Sequence, residues 1–330
     1  MVKRCDLDLS VSCIVTNNYT ADALALAESI ADTNRGVIVY VLVVGDLPDT
    51  VTRIAASNIR WIALSEILAP DEFSYFIKSY TPFEISCALR GRMHLWMHKN
   101  CETHYWVMLD SDMQVLETLE PVRNLLNSAD VILTSHSRMP VAMDQVLAHE
   151  INLLNHGLYN GGFLAMRKSA NALNVAKWFA SRLDVYGYAG FIRSDKRYKD
   201  LKLFVDQIWL NLIPLYFDKV VISNDETLNL GHWNLFQGSL TNKNGKYFFD
   251  NRSVVIAHFS SVPADNPSLV SNHSTLYSIS QNDVWADMFI DYHQRLDRYR
   301  KLVGPVQYSY TGAYMSFLKK RNHFVKRVIF

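Results

Sequence analysis

Two aspartates, separated by one residue, end an apolar run about a third of the way along the chain. The run is Trp106 to Leu109, and Asp110-Ser111-Asp112 follows it directly. In extended backbone alternate side chains point the same way, so the two carboxylates would share one side and Ser111 would face the other. Carboxylates this close repel each other unless a cation lies between them, and their hard oxygens suit Mg²⁺ or Mn²⁺. The pattern predicts a divalent metal site, although Asp-x-Asp also occurs in solvated turns and helix caps.

The elements around this pair alternate between strand and helix. Residues 37–44 are too uniformly apolar for a strand with one wet face, which predicts a central parallel strand covered on both sides. The alternation predicts a doubly wound, mostly parallel α/β sheet, whose ligands lie beyond the carboxyl ends of its strands. Further strands are expected at 10–16, 60–64, 104–109, 130–134, 162–166, 219–223 and 253–259, and helices at 21–33, 71–79, 83–98 and 169–183, with apolar helical spacing over 204–217.

Composition argues against several classes of protein. The 330 residues carry a net charge of +1, so we expect no nucleic-acid partner, because dedicated binders are strongly basic. The four cysteines form no close pair, which offers no zinc or redox motif and favours a reducing compartment. The first residues lack an apolar signal region, and no stretch of about 18 uncharged apolar residues occurs that could span a membrane. We therefore expect a cytoplasmic protein.

The C-terminal part differs from the rest in charge. Residues 291–330 hold nine Lys or Arg and two Asp or Glu, whereas the other 290 residues hold 24 and 30. Residues 263–283 are rich in Ser, Asn and Pro, which predicts a surface loop before a helical extension. Over 314–330 basic and apolar residues interleave, which fits peripheral contact with an anionic membrane and fits equally a terminal helix packed on the domain.

Five further segments accompany the aspartate pair: Thr81–Arg90, Tyr159–Phe163, Val205–Asn211, Asn229–Asn234 and Ala257–Ser260. In this order and spacing they resemble the motifs of nucleotide-sugar glycosyltransferases of GT-A fold. The resemblance is to family 8, and specifically to bacterial enzymes of surface-polysaccharide assembly. It covers about residues 10–262, and it implies a GT-A (Rossmann-like) catalytic domain over 1–262 with a loop and a basic amphipathic helical extension over 263–330.

The resemblance implies roles for the polar residues of these segments. Asp112 and His258 would hold the metal, and Asp110 would contact the metal or the donor ribose. A set that includes an imidazole suits Mn²⁺ better than Mg²⁺. Without the aspartates, His258 would be interpreted as a core histidine whose ring nitrogens form hydrogen bonds with backbone groups. Asp206 would bond hydroxyls of the donor sugar and Gln207 would lie near its anomeric carbon, although Asp206 could instead cap a helix.

The remaining predicted site residues would contact the donor or the acceptor. Asn160 and Gly161 are expected in a turn that brings backbone close to the donor sugar, although Asn-Gly is also a common hairpin turn. Arg90 matches a Lys that is followed by Pro in many relatives, whereas this chain has Arg90-Gly91, and the change keeps a cation near the diphosphate. Arg90 and Glu84 could also belong to an exposed helix face. The other candidates are Thr16, Asn17, Asn18 and Tyr19 for the base and ribose, Ser111, and Trp233, which with His232 would line the acceptor side.

The resemblance thus implies a metal-dependent transferase that uses a nucleoside-diphosphate sugar, UDP rather than GDP. The sugar would pass, with retained anomeric configuration, to a glycan or lipid-linked acceptor. A haloacid-dehalogenase phosphatase is disfavoured, because its Asp-x-Asp lies near the N-terminus and continues to Thr where this chain has Gln114. A sugar nucleotidyltransferase has a similar fold and metal site, and it stays open, as does a non-catalytic, membrane-associated subunit of a polysaccharide machine.

Overall fold

The computed structural model of the chain describes residues 7–54, 56–190, 201, 203–261, 269–278 and 283–310. The membrane contact expected over 314–330, and part of the loop expected over 263–283, lie outside these residues. The strands are β1 Leu9–Thr16, β2 Val39–Val44, β3 Ile59–Ala63, β4 Tyr105–Leu109, β5 Met113–Val115, β6 Val131–Ser135, β7 Tyr159–Arg167, β8 Val220–Ser223, β9 Leu240–Lys243, β10 Lys246–Phe249, β11 Arg252–Ser253, β12 Ile256–His258, β13 Leu269–Ser271 and β14 Ser274–Ser278. The described α-helices are α1 Thr20–Thr33, α2 Asp49–Thr52, α3 Pro70–Ser79, α4 Pro82–Ala88, α5 Arg90–Asn100, α6 Glu120–Leu125, α7 Glu150–His156, α8 Ala170–Tyr186, α9 Gln207–Leu210, α10 Ile213–Tyr216 and α11 Asp283–Val303.

Seven strands form the central sheet in the order β3-β2-β1-β4-β7-β6-β8. Neighbouring strands run parallel except β7, which is antiparallel to both β4 and β6. Every residue of β2 is buried, as its uniformly apolar sequence predicts, because side chains from its two faces enter two different core clusters. The predicted α/β fold with a mostly parallel sheet is confirmed.

The order of the strands explains where a ligand would bind. From β1 the chain continues to β2 and β3 on one side, and β4 then lies on the other side of β1. The carboxyl ends of β1 and β4, at Thr16 and Leu109, therefore lie side by side at a switch point, where ligands bind in open α/β sheets. The first residues of antiparallel β7 reach the same edge, because Phe163 pairs with Leu109.

Some predicted elements are divided in the structure. The helix expected over 83–98 is two helices, α4 and α5, separated at Leu89. The helical segment expected over 204–217 is also two short helices, α9 and α10, and Pro214 lies in the first turn of the second, where its missing N–H is tolerated. The strand expected over 253–259 includes β12, which pairs with β5 outside the central sheet.

The C-terminal helix α11 packs against the first helix. Trp285 is fully buried, and Tyr292 stacks on Phe259 with ring centroids 4.5 Å apart. Arg295 forms ion pairs with Glu28 and Asp32 of α1. The predicted C-terminal helix is therefore present in the described part of the extension. Across the described ranges, no helix has both the length and the apolar character that crossing a bilayer requires.

Gly91 lets α5 and α8 touch backbone to backbone. A Cβ at this position would overlap the main chain of Phe179 and Ala180, which cannot move aside as a flexible side chain can. Gly91→Ala should therefore lower the free energy of unfolding by about 3 kcal/mol in urea denaturation. Lys99→Ala, an exposed change on the same helix, should alter it by less than about 0.5 kcal/mol. A gain in stability for Gly91→Ala, as helix propensity alone would give, would contradict this packing.

His94 makes stability depend on pH. It is fully buried behind β4, where its Nδ1 accepts the Trp106 indole N–H at 2.9 Å. Burial, with the nearby Arg90 charge, lowers the pKa of His94 to about 3. Between that value and about 6.5 the unfolded chain holds the proton and the folded chain does not, so stability falls as pH falls. We expect His94 to remove about 2 kcal/mol between pH 7.5 and 5.

Urea denaturation at both pH values measures this loss, and His94→Gln supplies the comparison. Burial raises the pKa of Asp22 to about 6, although the charge of Arg300 opposes that shift. Asp22 therefore adds stability as the pH falls, and it does so in both proteins. The difference between wild type and His94→Gln in the loss of stability therefore measures the contribution of His94. Equal losses of stability in wild type and His94→Gln would show that His94 does not set the acid limit.

Candidate functional site

Asp110, Asp112 and His258 lie together at the edge of the sheet where β1 and β4 end. One ligand atom from each lies within 4.8 Å of the other two. The His258 Nε2 is 3.1 Å from an Asp112 oxygen, and the His258 side chain is 3% exposed. Two carboxylates and one imidazole form a donor set that fits Mn²⁺, and the partial exposure of both aspartates leaves room for further ligands.

A tight turn, and not the expected extended backbone, brings these groups together. The Met113 N–H donates to the Asp110 carbonyl at 3.3 Å, and the Asp110 N–H donates to the Gly162 carbonyl at 3.1 Å. After the turn, β5 pairs antiparallel with β12, and His258 lies opposite Met113. The pairing of two short strands therefore carries a residue from late in the chain to the aspartates.

A hydrogen-bonded amide fixes the orientation of His258. Its Nδ1 lies 3.2 Å from the Asn229 Oδ1, while the Asn229 Nδ2 donates to Thr134 Oγ1 and to Asn160 Oδ1. Because the Asn229 oxygen must accept, we assign the proton of neutral His258 to Nδ1. The Nε2 lone pair then faces the aspartates, which is the arrangement that a metal-binding histidine needs.

Asp112 and His258 stabilise each other's charged form. Burial opposes ionisation of both, but the imidazole still holds the pKa of Asp112 below its usual value. Against the same burial, the Asp112 carboxylate raises the pKa of His258. A divalent ion bound here would take the place of that proton, because a metal ligates neutral imidazole and ionised carboxylate.

Arg90 is buried in the site and joins two carboxylates. Its guanidinium donates to Asp110 and to the Gly161 carbonyl, and its Nε is 3.2 Å from an Asp206 oxygen. Burial disfavours the charge of Arg90, but Asp110 and Asp206 outweigh it and raise the pKa of the guanidinium. The exposed-face alternative is therefore wrong for Arg90, which is 8% exposed, and for Glu84, which is fully buried.

Glu84 has a structural role at the start of α4. Its Oε2 accepts the Thr81 N–H at 2.9 Å, and the Thr81 hydroxyl accepts the Glu84 N–H at 3.2 Å. The other oxygen, Oε1, accepts the Ala189 N–H at 3.0 Å. This capping box fixes the start of the helix pair that delivers Arg90.

Asp206 does not cap the helix that it precedes. In the described structure, its side chain accepts no hydrogen bond from α9 and forms the ion pair with Arg90. Burial raises the pKa of Asp206, although Arg90 opposes that shift. Val205, just before it, has φ of 41°, a conformation that costs energy for a β-branched residue. This strain lies next to the predicted catalytic residue and is typical of functional sites.

Gln207 bridges two backbone segments beside the cavity. Its Oε1 accepts the Gly161 N–H at 3.0 Å, and its Nε2 donates to the His156 carbonyl at 3.1 Å. A Cβ on Gly161 would lie 2.8 Å from an Asp206 oxygen, so the glycine allows Asp206 and Gln207 to approach β7. The structure therefore brings Asp206, Gln207 and Gly161 together.

Asn160 and Gly161 are not in a turn. Both lie in β7, which pairs with β6 at Tyr159 before them and with β4 from Phe163 after them, and this strand overrides the local preference of Asn-Gly for turns. The Asn160 Oδ1 accepts the Gly162 N–H at 2.9 Å, and its Nδ2 lies 3.1 Å from His136 Nε2. Asn160 therefore connects the strand to the amide that orients His258.

Sequence reasoning missed the roles of Asn229 and His136. Asn229 contacts both His258 and Asn160, and His136 contacts Asn160. Asn229 opens the segment Asn229–Asn234, so its place in that motif was an available signal. His136 lies just after β6 outside every segment used above, and its sequence context carries no such signal.

Asn17 is not free to bind a nucleobase. It is 3% exposed; its Nδ2 donates to the Gln307 carbonyl at 3.0 Å, and its Oδ1 accepts the Ser309 N–H at 3.2 Å. The segment after α11 therefore occupies the amide that we expected to contact the base. The hydrogen bond from Asn17 to the Gln307 carbonyl joins residues 290 positions apart, and local sequence does not reveal such a contact.

The other residues expected near the base lie at the same edge of the sheet. The Thr16 hydroxyl donates to Asn18 Oδ1 at 2.7 Å, and Asn18 itself is exposed. Tyr19 is 50% exposed, so its ring is accessible for stacking. Ser111 is partly exposed in the turn between the two aspartates. Of the residues expected to contact the base, Asn18 and Tyr19 are therefore the exposed ones.

A cavity of about 630 Å³ opens beside the metal-ligand cluster. Its size is within the range of small-molecule sites. Its lining combines charged side chains with histidine and tryptophan rings. The lining includes Arg90, Asp110, Asp206, Gln207 and His258, and also His136, His149, His232, Trp233 and His273.

Comparison with known proteins supports the fold. No family model matches the chain, and no curated protein matches it by sequence. The crystal structure of the galactosyltransferase LgtC with donor and acceptor sugar analogs aligns with a TM-score of 0.51 and 17% identity, over 92% of this chain and 99% of that one. An active-site mutant of LgtC aligns at 0.50 and 17%, over 86% and 95%. The chain therefore has the GT-A fold predicted from its motifs.

Proposed function

We propose that the chain is a metal-dependent glycosyltransferase that takes a sugar from a nucleoside diphosphate, in particular from UDP. The observation that carries this proposal is the Asp110–Asp112–His258 cluster beside a cavity of about 630 Å³ at the switch point of the sheet. A GT-A fold supports it, since LgtC, which aligns over almost its whole length, is a galactosyltransferase solved with sugar analogs. A glycan or lipid-linked acceptor of surface-polysaccharide synthesis belongs to the same proposal.

Electrostatic stabilisation is what this reaction needs from the protein. Negative charge builds on the leaving diphosphate as its bond to the sugar breaks, and fixed positive charge lowers that barrier. A divalent ion held by Asp110, Asp112 and His258 would supply Lewis-acid stabilisation of the leaving oxygens. Arg90 adds a permanent cation at the same end of the cavity, because its pKa is raised further above neutrality by its carboxylate partners.

Retention of configuration is part of the proposal. The bond between the anomeric carbon and the phosphate oxygen breaks, and its electron pair stays on the phosphate. The acceptor hydroxyl attacks from the same face and gives its proton to that phosphate oxygen. A double displacement is disfavoured, because Asp206, the nearest candidate nucleophile, is held in an ion pair with Arg90 at 3.2 Å. Its carboxylate is better suited to accept hydrogen bonds from sugar hydroxyls.

A thermal-shift screen of nucleotide sugars tests the proposal. With Mn²⁺ present, the correct donor at 100 times its dissociation constant should stabilise the native state by about 2.7 kcal/mol and raise the melting temperature. The same donor with EDTA should give a smaller shift. If no nucleotide sugar stabilises the protein, with or without Mn²⁺, the result would contradict a donor site. A separate product assay identifies the alternative, because a nucleotidyltransferase would release inorganic diphosphate from a nucleoside triphosphate and a sugar 1-phosphate.

A further inference from the structure

The chain turns back after α11 and crosses the edge of the sheet where β1 and β2 end. We call residues 304–310 the C-terminal strap. It begins at Gly304, whose φ of 75° favours glycine, and it contacts Asn17 just beyond β1 and Asp46 just beyond β2. Alternate residues of the strap face the protein, as in an extended strand; the partly buried ones are Gly304, Val306, Tyr308 and Tyr310.

The Asn17 side chain joins the strap through both of its polar atoms. Its Nδ2 donates to the Gln307 carbonyl at 3.0 Å, and its Oδ1 accepts the Ser309 N–H at 3.2 Å. The amide therefore pairs with the strap backbone in the manner of a neighbouring strand. Because Asn17 is 3% exposed, release of the strap would leave a buried amide without these partners, which opposes release.

Further contacts anchor the far end of the strap. The Ser309 hydroxyl accepts the Asp46 N–H at 2.9 Å. The Tyr310 ring contacts Phe73 of α3 edge-to-face, with centroids 5.4 Å apart, and it contacts Tyr308 in the same way at 5.6 Å. All three rings pack against one of the two core clusters of the central sheet. The strap is therefore tied both to the sheet edge and to α3.

The residue that the strap holds begins a one-turn 3₁₀ helix, Asn17–Tyr19, between β1 and α1. Gly45 closes Asn17 in from another side, since a Cβ on that glycine would lie 2.7 Å from Asn17 Oδ1. The Thr20 hydroxyl donates to the Asn17 carbonyl at 3.0 Å. Asn17 is therefore fixed, whereas the other two residues of the turn are exposed.

We propose that Asn17 is a positioning residue, through which the C-terminal strap holds Asn18 and Tyr19 where a nucleoside diphosphate binds. This inference rests on the proposed function. It assigns part of donor binding to a segment that lies beyond residues 10–262, which carry the family motifs. Both hydrogen bonds described between the strap and the turn go to Asn17 and leave its two neighbours exposed, which favours support of the site over obstruction.

Calorimetric titration of the full chain with UDP, with Mn²⁺ present, tests the strap without a change in the turn itself. Ser309→Pro removes the N–H that donates to Asn17 Oδ1, because proline has no backbone donor. A turn that is no longer held samples other conformations, so the Kd of UDP should rise. We expect an increase of about tenfold, which corresponds to about 1.4 kcal/mol of binding.

Two control variants keep the backbone bonds between the strap and Asn17. Ser309→Ala retains the N–H and loses only the hydroxyl that accepts the exposed Asp46 N–H. Gln307→Ala retains the carbonyl that accepts from Asn17, and the side chain that it removes is exposed. Both variants should keep the Kd of UDP within about twofold of wild type.

A positioning role predicts an effect on donor binding alone. In nucleotide-free Ser309→Pro, hydrogen exchange should be faster over residues 17–20 and unchanged in the central sheet. For hydrolysis of the UDP-sugar that gives the largest thermal shift, the KM should rise with the Kd of UDP, and kcat should stay within about twofold. A lower kcat, or faster exchange across the whole sheet, would mark a structural defect and contradict the inference.

Tyr310→Ala is a second strap variant, and it decides the question if Ser309→Pro does not fold. It removes the ring that packs on Phe73 at the end of the strap, so it should also raise the Kd of UDP. An unchanged Kd would refute the inference, and tighter binding would refute it by showing that the strap obstructs the site. UDP binding that no strap variant alters would remove the strap inference alone, whereas a wild-type protein that binds neither UDP nor any UDP-sugar would contradict the proposed function.

Discussion

Replacing Asp112 with asparagine should remove metal-dependent turnover and leave the fold intact. The amide keeps the shape of the side chain but removes the negative charge that lies 3.1 Å from His258 Nε2. Because that charge would hold the ion that stabilises the leaving diphosphate, we expect a loss of at least about a thousandfold in turnover number. Titration calorimetry should show weaker Mn²⁺ binding, and circular dichroism should show an unchanged fold.

Asp71→Asn is a matched control, because it makes the same chemical change on an exposed helix residue. It should retain full activity and Mn²⁺ affinity. The histidine offers an internal check, since Asp112 is what raises the pKa of His258. In Asp112→Asn that pKa should fall, which NMR of the imidazole measures. Full activity of Asp112→Asn with Mn²⁺ would refute the metal-site assignment.

The central sheet was predictable because its strands are apolar throughout. The Val39–Val44 strand has no wet face, and its side chains pack on both sides of the sheet. Trp106–Leu109 likewise ends at a charge pair, where burial must stop. In such elements, local composition and tertiary burial agree, and the pattern of residues is enough.

Elements governed by distant pairing were not predictable in the same way. Asn160 and Gly161 have the local preference of a turn, but they lie within β7, between Tyr159, which pairs with Ser135, and Phe163, which pairs with Leu109. Glu84 and Arg90 have the charge of a solvated helix face, but partners at Ala189, Asp110 and Asp206 bury them. One sequence without its contacts does not reveal which charges have partners.

The candidate site likewise contains residues that the sequence pattern identifies and residues that only distant contacts place. Asp110, Asp112, Asp206 and His258 were recognised as a set, because their residue types match the motifs of a known family. Asn229, which orients His258, was passed over although it opens a recognised motif, because nothing in the motif shows which distant side chain its amide contacts. Asn17 shows the opposite error, since a side chain chosen for its amide is occupied by the Gln307 carbonyl.

Gly162→Ala should disable the metal site by crowding it. A Cβ at Gly162 would lie 2.5 Å from His258 Cε1, 2.8 Å from Asp110 Oδ2 and 2.9 Å from Asn160 Oδ1. All three neighbours belong to the metal site or to the network that orients it, so relief of the clash must displace a ligand. Displacement of reacting groups by about 1 Å costs about a hundredfold in rate, and we expect at least that loss.

The same crowding should weaken Mn²⁺ binding, which separates a damaged site from a damaged fold. Titration calorimetry should give a dissociation constant raised at least about tenfold, while overpacking lowers the free energy of unfolding by only about 1–3 kcal/mol. Gly245→Ala makes the same change at a hairpin tip where nothing lies within 4 Å, so it should keep wild-type metal affinity whatever strain its φ of 80° adds. Wild-type Mn²⁺ affinity in Gly162→Ala would show that β7 does not shape the metal site. We therefore expect the close approach of Gly162, together with the carboxylates, to set the geometry of the proposed metal site.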